Sequence, residues 1–453
     1  MTGASGLVGH ALCKRLIQEG WNVVTVGRKS EKAFREKFSL PCEYFVWSDP
    51  VRTPPPREAL EVEAIFHLMG EPIADQRWSA EKKKSLIESR VDTTQQLVKA
   101  LRENSTPVRT FISASATGIY GDREDQTLEE RSDLGQDFLA KLCLDWECES
   151  RQAPCRNVQM RIGVVLSEYG GAIGKLLPIF ESGFAGRLGS GQQWMSWIHL
   201  DDLVRAFVHA LNNPMISGPI NATAPFPVKN AEFTNALAKA THVSAPFPVP
   251  APALRLALGE RAMILLQSQR LTPKVLVSSA FDFKYPTIYA ALNAVLEWKE
   301  SRHDRFFFSE QWVPSSRANV FQFFSDEMNL EALTPDFLQF KVLGKSTKVL
   351  TEGTEIRYRL RIHQVPVRWT SRITAWRAGE MFEDTQVRGP YGKWTHTHDF
   401  EDLGTGTLIR DRVVYRMPLS GMGGNLGHAF VRTDINKIFK FRNRTINRTF
   451  QES

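Results

Sequence analysis

The apolar positions at the start of the chain repeat first with the period of a helix and then with that of a strand. Val8, Leu12 and Leu16 lie four residues apart, which predicts a helix with one apolar stripe. The valine-rich run at 22–26 predicts a buried parallel strand. A glycine-spaced loop at residues 1–9 leads into the helix. Loop, helix and strand therefore follow in the order of a βαβ unit.

The same alternation of strands and helices continues to about residue 240, and a short helical region follows. It predicts an α/β domain with a doubly wound Rossmann-type parallel sheet at residues 1–246 and a small helical cap at 247–300. In chain order, we expect strands at 42–47, 64–69, 109–115 and 158–166, and helices at 80–90, 93–103, 203–211, 231–240 and 254–266.

Beyond the polar stretch at 301–304 the pattern changes to a series of strands. This change predicts a second domain of the α+β class at residues 303–453. A long amphipathic helix is expected near its end, at about 427–447. The preceding elements are expected to be strands at 306–313, 355–363, 367–376, 381–387, 394–401 and 407–415, with a helix at 318–324.

The glycine loop has the spacing of a dinucleotide-binding turn. Gly3 permits a tight turn, Gly6 lets the backbone approach a pyrophosphate, and Gly9 lets the helix pack closely on the sheet. The helix N-terminus that follows offers free N–H groups to the phosphates. The strand that should precede this loop is missing, with Met1 where its last residue would be, so we expect a truncated or misassigned start.

Two basic residues after the first complete strand bear on the choice of cofactor. A site for NAD(H) usually carries an acidic residue there, which binds the ribose 2′-hydroxyl. Arg28 and Lys29 instead suit a 2′-phosphate. We therefore predict NADP(H) as the cofactor, preferred over NAD(H). The alternative is that both residues are surface charges at a strand end.

Composition and charge argue against several classes of function. The net charge of +7 is dispersed except at 432–448, where a solvated helix face explains it, so we expect no nucleic-acid partner. No apolar run approaches the roughly 20 residues of a membrane helix and no leader pattern precedes the loop, so we expect a cytoplasmic protein without a membrane span. The five cysteines form no CxxC pair, which predicts reduced thiols. His396 and His398 lie two apart on one strand without neighbouring Cys or clustered carboxylates, so no metal site is predicted.

Several segments together resemble the epimerase-like atypical short-chain dehydrogenase/reductases of the NAD-dependent epimerase/dehydratase superfamily. They are the glycine loop, His-Leu-Met-Gly-Glu-Pro-Ile at 67–73, Ser-Ala-Ser at 113–115, Trp-Ile-His-Leu-Asp-Asp at 197–202 and Asn-Ala-Thr-Ala-Pro at 221–225. The resemblance covers roughly the first 295 residues. It implies that the cofactor is bound by Gly3, Ala4, Ser5, Gly6, Leu7, Val8, Gly9, Arg28, Lys29, Leu68, Met69, Gly70, Glu71, Arg90, Ser113 and Ala114.

Proton transfer is the point at which the chain departs from that superfamily. Extended members use a Tyr and a Lys four residues later, because the ammonium stabilises the phenolate. This chain has Leu139 and Cys143 at those positions, while Ser115 matches the upstream serine and Arg90 falls where an Asn would be. Cys143 is a candidate proton donor or acceptor if Arg90 or the nicotinamide lies close. Its alternative role is that of a small buried thiol. Tyr120 lacks a lysine partner and is expected to line the substrate pocket. Together with Ser115, Arg90 and Cys143, it makes up the set of candidate catalytic residues.

Two further polar segments at strand ends have simpler structural explanations. His67, at the end of a predicted strand, is expected to be packed rather than catalytic. The aspartates before the helix at 203–211 suit a helix N-cap, with His199 orienting the cap. We therefore expect neither segment to carry the chemistry.

The order of elements in the second domain resembles the helix-grip fold of the SRPBCC superfamily, which includes START and polyketide-cyclase proteins. This resemblance implies a cavity between sheet and helix that binds a hydrophobic small molecule. Arg368, Arg372 and His363 are candidates to meet a polar head group, and the loop at 421–424 is expected to be a lid or hinge. The expected apolar lining consists of Val367, Trp369, Trp376, Tyr391 and Trp394.

The combined prediction is an NADP(H)-dependent oxidoreductase or epimerase-like enzyme that lacks the usual Tyr–Lys pair. Its substrate is expected to be a small, hydrophobic carbonyl or hydroxyl compound, bound or presented by the C-terminal domain. The alternative is a non-catalytic NADP(H)-sensing protein, whose cofactor state changes ligand binding by the second domain. The sequence leaves the substrate and the oligomeric state open.

Overall fold

The structure is a computed structural model that describes residues 1–104, 107–418 and 424–451. The chain divides into two compact units, one formed by residues 1–38 and 42–297 and the other by residues 39–41 and 298–453. Among the described residues, no helix is long and apolar enough to cross a membrane.

The first unit alternates strands and helices along the chain. The strands are β1 (Val24–Gly27), β2 (Glu43–Val46), β3 (Ala64–His67), β4 (Thr110–Ala116), β5 (Thr127–Leu128), β6 (Arg156–Ile162), β7 (Val164–Ser167), β8 (Trp194–Met195), β9 (Trp197–His199), β10 (Gly218–Ala222), β11 (Val228–Lys229) and β12 (Arg270–Leu271). The helices are α1 (Leu7–Gln18), α2 (Glu31–Arg35), α3 (Ala80–Ile87), α4 (Thr93–Glu103), α5 (Phe138–Ser150), α6 (Gly171–Glu181), α7 (Leu200–Asn212), α8 (Asn230–Ala240), α9 (Ala251–Leu258), α10 (Met263–Leu266), α11 (Lys274–Ser278) and α12 (Ile288–Val295). Short 3₁₀ helices lie at Arg57–Leu60, Thr117–Tyr120 and Gly259–Ala262, and one π-helical turn lies at Glu88–Asp92.

The core of this unit is a doubly wound parallel sheet, as predicted. β1 pairs with β2, and β3, β4, β6 and β10 pair in that order, all in parallel. Thr2 joins the two groups, because it forms parallel bridges to Val26 on one side and His67 on the other. The glycine loop therefore leaves the middle of the sheet, at the carboxyl edge where doubly wound folds bind their ligands.

The second unit is built on an antiparallel sheet, which agrees with the predicted α+β class. Its seven strands pair in the order β13-β19-β18-β17-β16-β15-β14, and the apolar face of α15 packs on them. One strand, β14, was not expected from the sequence. The strands are β13 (Arg305–Val313), β14 (Lys341–Lys345), β15 (Glu355–Ile362), β16 (Val365–Arg377), β17 (Met381–Arg388), β18 (Lys393–Leu403) and β19 (Gly406–Arg416), and the helices are α13 (Arg317–Phe324), α14 (Asn329–Ala332) and α15 (Gly424–Gln451).

The two faces of β16 correct one expectation about this unit. Trp369 is buried on the inner face, whereas the alternate residues Arg368 and Arg372 are exposed. His363 is also exposed and pairs with Asp434 at 2.9 Å. The three cationic candidates for a polar head group therefore lie outside the core, because side chains alternate across a strand. The proposed lid at 421–424 falls outside the described residues, apart from the first residue of α15.

Candidate nucleotide-binding site

Close backbone contacts explain the glycines of the loop. Gly3 has a φ of +70°, and a Cβ at this position would lie 2.7 Å from the carbonyl oxygen of Leu68. A Cβ on Gly9 would lie 2.2 Å from the carbonyl oxygen of Gly3. Both distances are far shorter than a carbon–oxygen contact allows. Only glycine fits at these two positions, which brings α1 and the loop against the end of β3.

The loop presents the uncapped N-terminus of α1. The cap residue is Gly6, whose N–H donates to the Gly3 carbonyl at 3.0 Å, and no side chain caps the helix. The N–H groups of a first helical turn have no partner within the helix and lie at the positive end of its dipole. This geometry suits a pyrophosphate. The residues of the segment 3–9 therefore form a cradle of the kind that the glycine spacing predicts.

Arg28 and Lys29 follow the carboxyl end of β1 and are exposed. The Tyr44 hydroxyl donates a 2.7 Å hydrogen bond to the carbonyl of Lys29, and the Tyr44 ring stacks on Phe34 at 4.0 Å, which fixes this turn. Neither basic side chain forms an ion pair within the part of the chain that the structure describes. Both cations are therefore available for an anionic group beside the sheet edge.

The end of β3 and the π-helical turn meet through Arg90. Arg90 Nη2 donates to the Glu71 carbonyl at 2.8 Å, and the guanidinium lies 3.1 Å from where a Cβ on Gly70 would be. Burial lowers the pKa of Arg90, and the indole of Trp146 lies 5.4 Å from its guanidinium carbon. The Glu71 carboxylate pairs with Lys82, which lowers its pKa. The structure thus brings Arg90 to the segment that was expected to bind cofactor.

The end of β4 carries Ser113, Ala114 and Ser115, all buried. The Ser113 hydroxyl has no hydrogen-bond partner among the described residues. The Ser115 hydroxyl donates to Glu147 Oε1 at 2.7 Å. The two serines therefore differ, because only Ser115 is already engaged by the protein.

Glu147 and Arg161 form a buried ion pair beneath this strand end. Arg161 donates from Nε to Oε1 at 2.8 Å and from Nη2 to Oε2 at 2.9 Å, a bidentate geometry. The side chains are 0% and 3% exposed, respectively. Although burial lowers the pKa of Arg161, hydrogen bonding and attraction to Glu147 raise it above its ordinary value. Sequence analysis did not anticipate the pair, since its members lie 14 residues apart on α5 and β6.

Tyr120 is part of the same network. Its hydroxyl donates to Asn221 Oδ1 at 2.7 Å and accepts from Arg161 Nη1 at 2.7 Å. The residue is 0% exposed, and burial raises its pKa to about 12. The hydroxyl is therefore enclosed by protein partners instead of facing an open pocket, in contrast to the expectation that it lines one.

Cys143, the candidate proton donor or acceptor of the sequence analysis, lies on α5 and is buried. Burial raises the pKa of its thiol to about 12, while the charge of Arg90 acts in the opposite direction. At neutral pH the thiol is protonated.

The two histidine segments have structural roles, as predicted. His67 is buried between Thr2, at 2.9 Å from Nδ1, and Thr94, at 3.0 Å from Nε2. His199 is itself the N-cap of α7, since its Nδ1 accepts the Asp201 N–H at 3.1 Å. The expectation that an aspartate would be the cap is wrong.

A parallel sheet with this glycine loop at its central carboxyl edge defines a Rossmann-type nucleotide-binding protein. Residues 1–221 match the model of the NAD dependent epimerase/dehydratase family, and residues 249–295 match a domain of unknown function, DUF1731. The chain is 40% identical over 296 residues to an epimerase family protein of Mycobacterium bovis, a match that covers 64% of this chain and 95% of the relative. It is 36% identical over 308 residues to the chloroplastic SDR39U1 homolog of Arabidopsis thaliana, covering 66% of this chain and 86% of that protein. The chain therefore belongs to the NAD dependent epimerase/dehydratase family.

Two solved structures share the fold of the first unit. The crystal structure of human epimerase family protein SDR39U1 (isoform2) with NADPH matches with a TM-score of 0.60 and 30% identity, over 65% of this chain and 98% of that chain. A nucleoside-diphosphate sugar epimerase from Corynebacterium glutamicum matches with a TM-score of 0.53 and 36% identity, over 66% of this chain and 57% of that chain. The human relative supports binding of a nicotinamide dinucleotide by this fold.

Proposed function

We propose that the first unit binds NADP(H) in preference to NAD(H). The observation that carries the proposal is the pair Arg28 and Lys29, exposed at the end of β1 and without an ion-pair partner in the described part of the chain. A 2′-phosphate on the adenosine ribose would meet these cations, and the cradle formed by the segment 3–9 would hold the pyrophosphate. The human relative whose structure contains NADPH supports this choice.

A binding titration of the full-length protein against NADPH, NADP, NADH and NAD tests the preference. Arg28→Ala is expected to weaken NADPH binding by at least about tenfold, the equivalent of 1.4 kcal/mol, and to leave NADH binding nearly unchanged. Arg109→Ala is the matched control, because Arg109 precedes β4 at the opposite edge of the sheet and its side chain is 82% exposed. Equal affinity for NADPH and NADH in the unmodified protein would contradict the preference.

We further propose that the unit is an oxidoreductase or epimerase-like enzyme for a small, hydrophobic carbonyl or hydroxyl compound. NADPH would supply the hydride when bound. In this proposal Arg90 and Cys143 would act beside it, and the charge of Arg90 opposes the effect of burial on the pKa of the thiol. A thiol with a raised pKa is a proton donor to a developing alkoxide and a poor base at neutral pH.

The rival proposal is a non-catalytic NADP(H) sensor. The engaged hydroxyls of Ser115 and Tyr120 support it, because neither is free to exchange a proton with a substrate in this arrangement. Oxidation of NADPH by a panel of hydrophobic carbonyl compounds separates the two proposals. For an enzyme, Cys143→Ser is expected to reduce turnover and leave NADPH affinity unchanged. For a sensor, no compound is turned over, and NADPH changes ligand binding equally in the variant and the unmodified protein.

For the second unit we propose a helix-grip ligand-binding domain of the SRPBCC type. The supporting observation is a cluster of aromatic side chains, Trp369, Tyr391 and Trp394, that packs with Ile438 of α15 on the inner side of the sheet. A hydrophobic molecule would replace part of this packing. Deletion of residues 303–453 is expected to weaken substrate affinity and to preserve NADPH binding. Equal turnover by the shortened chain would contradict a role in presenting substrate.

A further inference from the structure

The inner side of the second unit carries a buried group of polar side chains. Asp384 on β17 pairs in register with His396 on β18, and His398 lies two residues further along the same strand. Asp411 on β19 pairs in register with His398. Three adjacent strands therefore bring two carboxylates and two imidazoles together. The exposed fractions of the His398 and Asp411 side chains are only 3% and 4%.

Asp411 fixes the orientation of both imidazole rings. Its Oδ1 lies 3.0 Å from His396 Nε2 and 2.7 Å from His398 Nδ1. Arg442 of α15 adds a cation, with Nη2 3.5 Å from the same oxygen and 3.3 Å from His398 Nδ1. Both facing ring nitrogens thus lie within hydrogen-bond distance of one carboxylate oxygen.

Each ring has a second nitrogen, on its other side. Both nitrogens face Asp384, whose Oδ1 lies 4.0 Å from His396 Nδ1 and 3.9 Å from His398 Nε2. One ligand atom from each of these three residues lies within 4.8 Å of the other two. Three atoms of the kinds that bind metal ions thus lie close together. Largely buried polar groups need partners, and a cation between these atoms would serve all three.

The ligand atom of Asp384 is also held in place. Ser371 donates to Asp384 Oδ2 at 2.9 Å, which leaves Oδ1 directed at the imidazoles. Ser371 in turn accepts the Trp369 Nε1–H at 3.1 Å and contacts the Tyr358 hydroxyl. Metal-binding sites commonly show this construction, in which each ligand is oriented by a second hydrogen-bonding group.

We propose that Asp384, His396 and His398 bind a divalent transition-metal ion, such as Zn²⁺, Fe²⁺ or Co²⁺. Two imidazole nitrogens and one carboxylate oxygen suit these ions better than Mg²⁺ or Ca²⁺, which prefer oxygen ligands alone. Bonds of about 2.0–2.2 Å require the three atoms to approach one another by roughly 1 Å, within the reach of side-chain rotation. Three protein ligands leave at least one coordination position for water or a bound molecule.

Co²⁺ titration of the full-length protein, after removal of metal with a chelator, tests the site. The absorption spectrum of Co²⁺ is expected to report one bound equivalent that Zn²⁺ displaces and Mg²⁺ does not. Asp384→Asn and His396→Gln are each expected to weaken Co²⁺ binding by at least about tenfold. His363→Gln is the matched control, because His363 lies in the same unit with a side chain that is 64% exposed, and it should bind Co²⁺ like the unmodified protein.

Two results would overturn the proposal. One is the absence of stoichiometric Co²⁺ binding by the folded, unmodified protein, which would mean that a proton fills the space between Asp384 and the imidazoles. The other is unchanged affinity in both Asp384→Asn and His396→Gln. If these variants do not fold, X-ray absorption spectroscopy of the cobalt complex of the unmodified protein tests the site instead. The spectrum should show two imidazole ligands on the cobalt, and any other number would contradict the proposal.

Discussion

The substitution Glu147→Gln removes a negative charge whose main partner, the guanidinium of Arg161, is almost fully shielded from water. The Glu147 carboxylate accepts from Ser115 Oγ at 2.7 Å, from Arg161 Nε at 2.8 Å and Nη2 at 2.9 Å, and from Arg151 Nη2 at 2.7 Å. A glutamine keeps the size but turns an NH₂ group toward these donors. Arg161, with a side chain that is 3% exposed, would keep its charge without a counter-ion. We expect the free energy of unfolding of the first unit to fall by about 3–5 kcal/mol.

Differential scanning calorimetry of the full-length protein measures this change, because the two units need not unfold in one transition. At about 2 °C per kcal/mol for a unit of this size, the melting temperature of the first unit should fall by about 6–10 °C. A chain that ends at residue 300 identifies which transition belongs to that unit. Asp145→Asn is the control, since Asp145 is exposed on the same helix.

A double variant checks the cause of the loss. Glu147→Leu combined with Arg161→Met replaces the pair by apolar side chains of similar volume, which should restore much of the stability lost in Glu147→Gln. If Glu147→Gln costs less than about 1 kcal/mol, or no more than Asp145→Asn, the argument that an uncompensated buried charge dominates would be refuted.

Two further predictions concern the loop and its neighbouring strand. Gly9→Ala should abolish NADPH binding, measured by fluorescence titration, because the new Cβ would lie 2.2 Å from the Gly3 carbonyl oxygen. Gly174→Ala is the control and should bind NADPH normally, because a Cβ at that position would meet nothing within 4 Å. NADPH binding by Gly9→Ala would contradict the tight packing of the loop. Burial lowers the pKa of His67 to about 3, so its contribution to stability is complete above the unfolded value of about 6.5 and is lost as the pH falls toward 3. The free energy of unfolding, measured by chemical denaturation, should fall between pH 7.5 and pH 5 in both proteins. The fall should be about 2 kcal/mol smaller in His67→Gln than in the unmodified protein. Equal falls would exclude His67 as the cause.

Local patterns in the sequence were enough to identify many elements of both units. The spacing of Gly3, Gly6 and Gly9 predicted a tight turn into a helix, and the structure contains it with Gly3 at a φ of +70°. The predicted strands and helices agree with the observed ones to within a few residues in most cases, although β10, β14, α6 and α12 were missed. These features depend on neighbours in sequence, since side-chain period and backbone freedom are set within a few residues.

Contacts between distant residues required the tertiary structure. The pattern of β16 did not show that Arg368 and Arg372 point outward, because alternation defines two faces without saying which one is buried. Glu147 and Arg161 meet only because α5 packs against β6.

The same limit applied to His396 and His398, which lacked nearby carboxylates in the sequence but have Asp384 and Asp411 on neighbouring strands. The sequence by itself determined the period, turns and order of the elements, which are local properties of the chain. Only strand pairing and helix packing decided which buried charges and ring nitrogens face one another, because those distances depend on the register between segments that the sequence leaves apart.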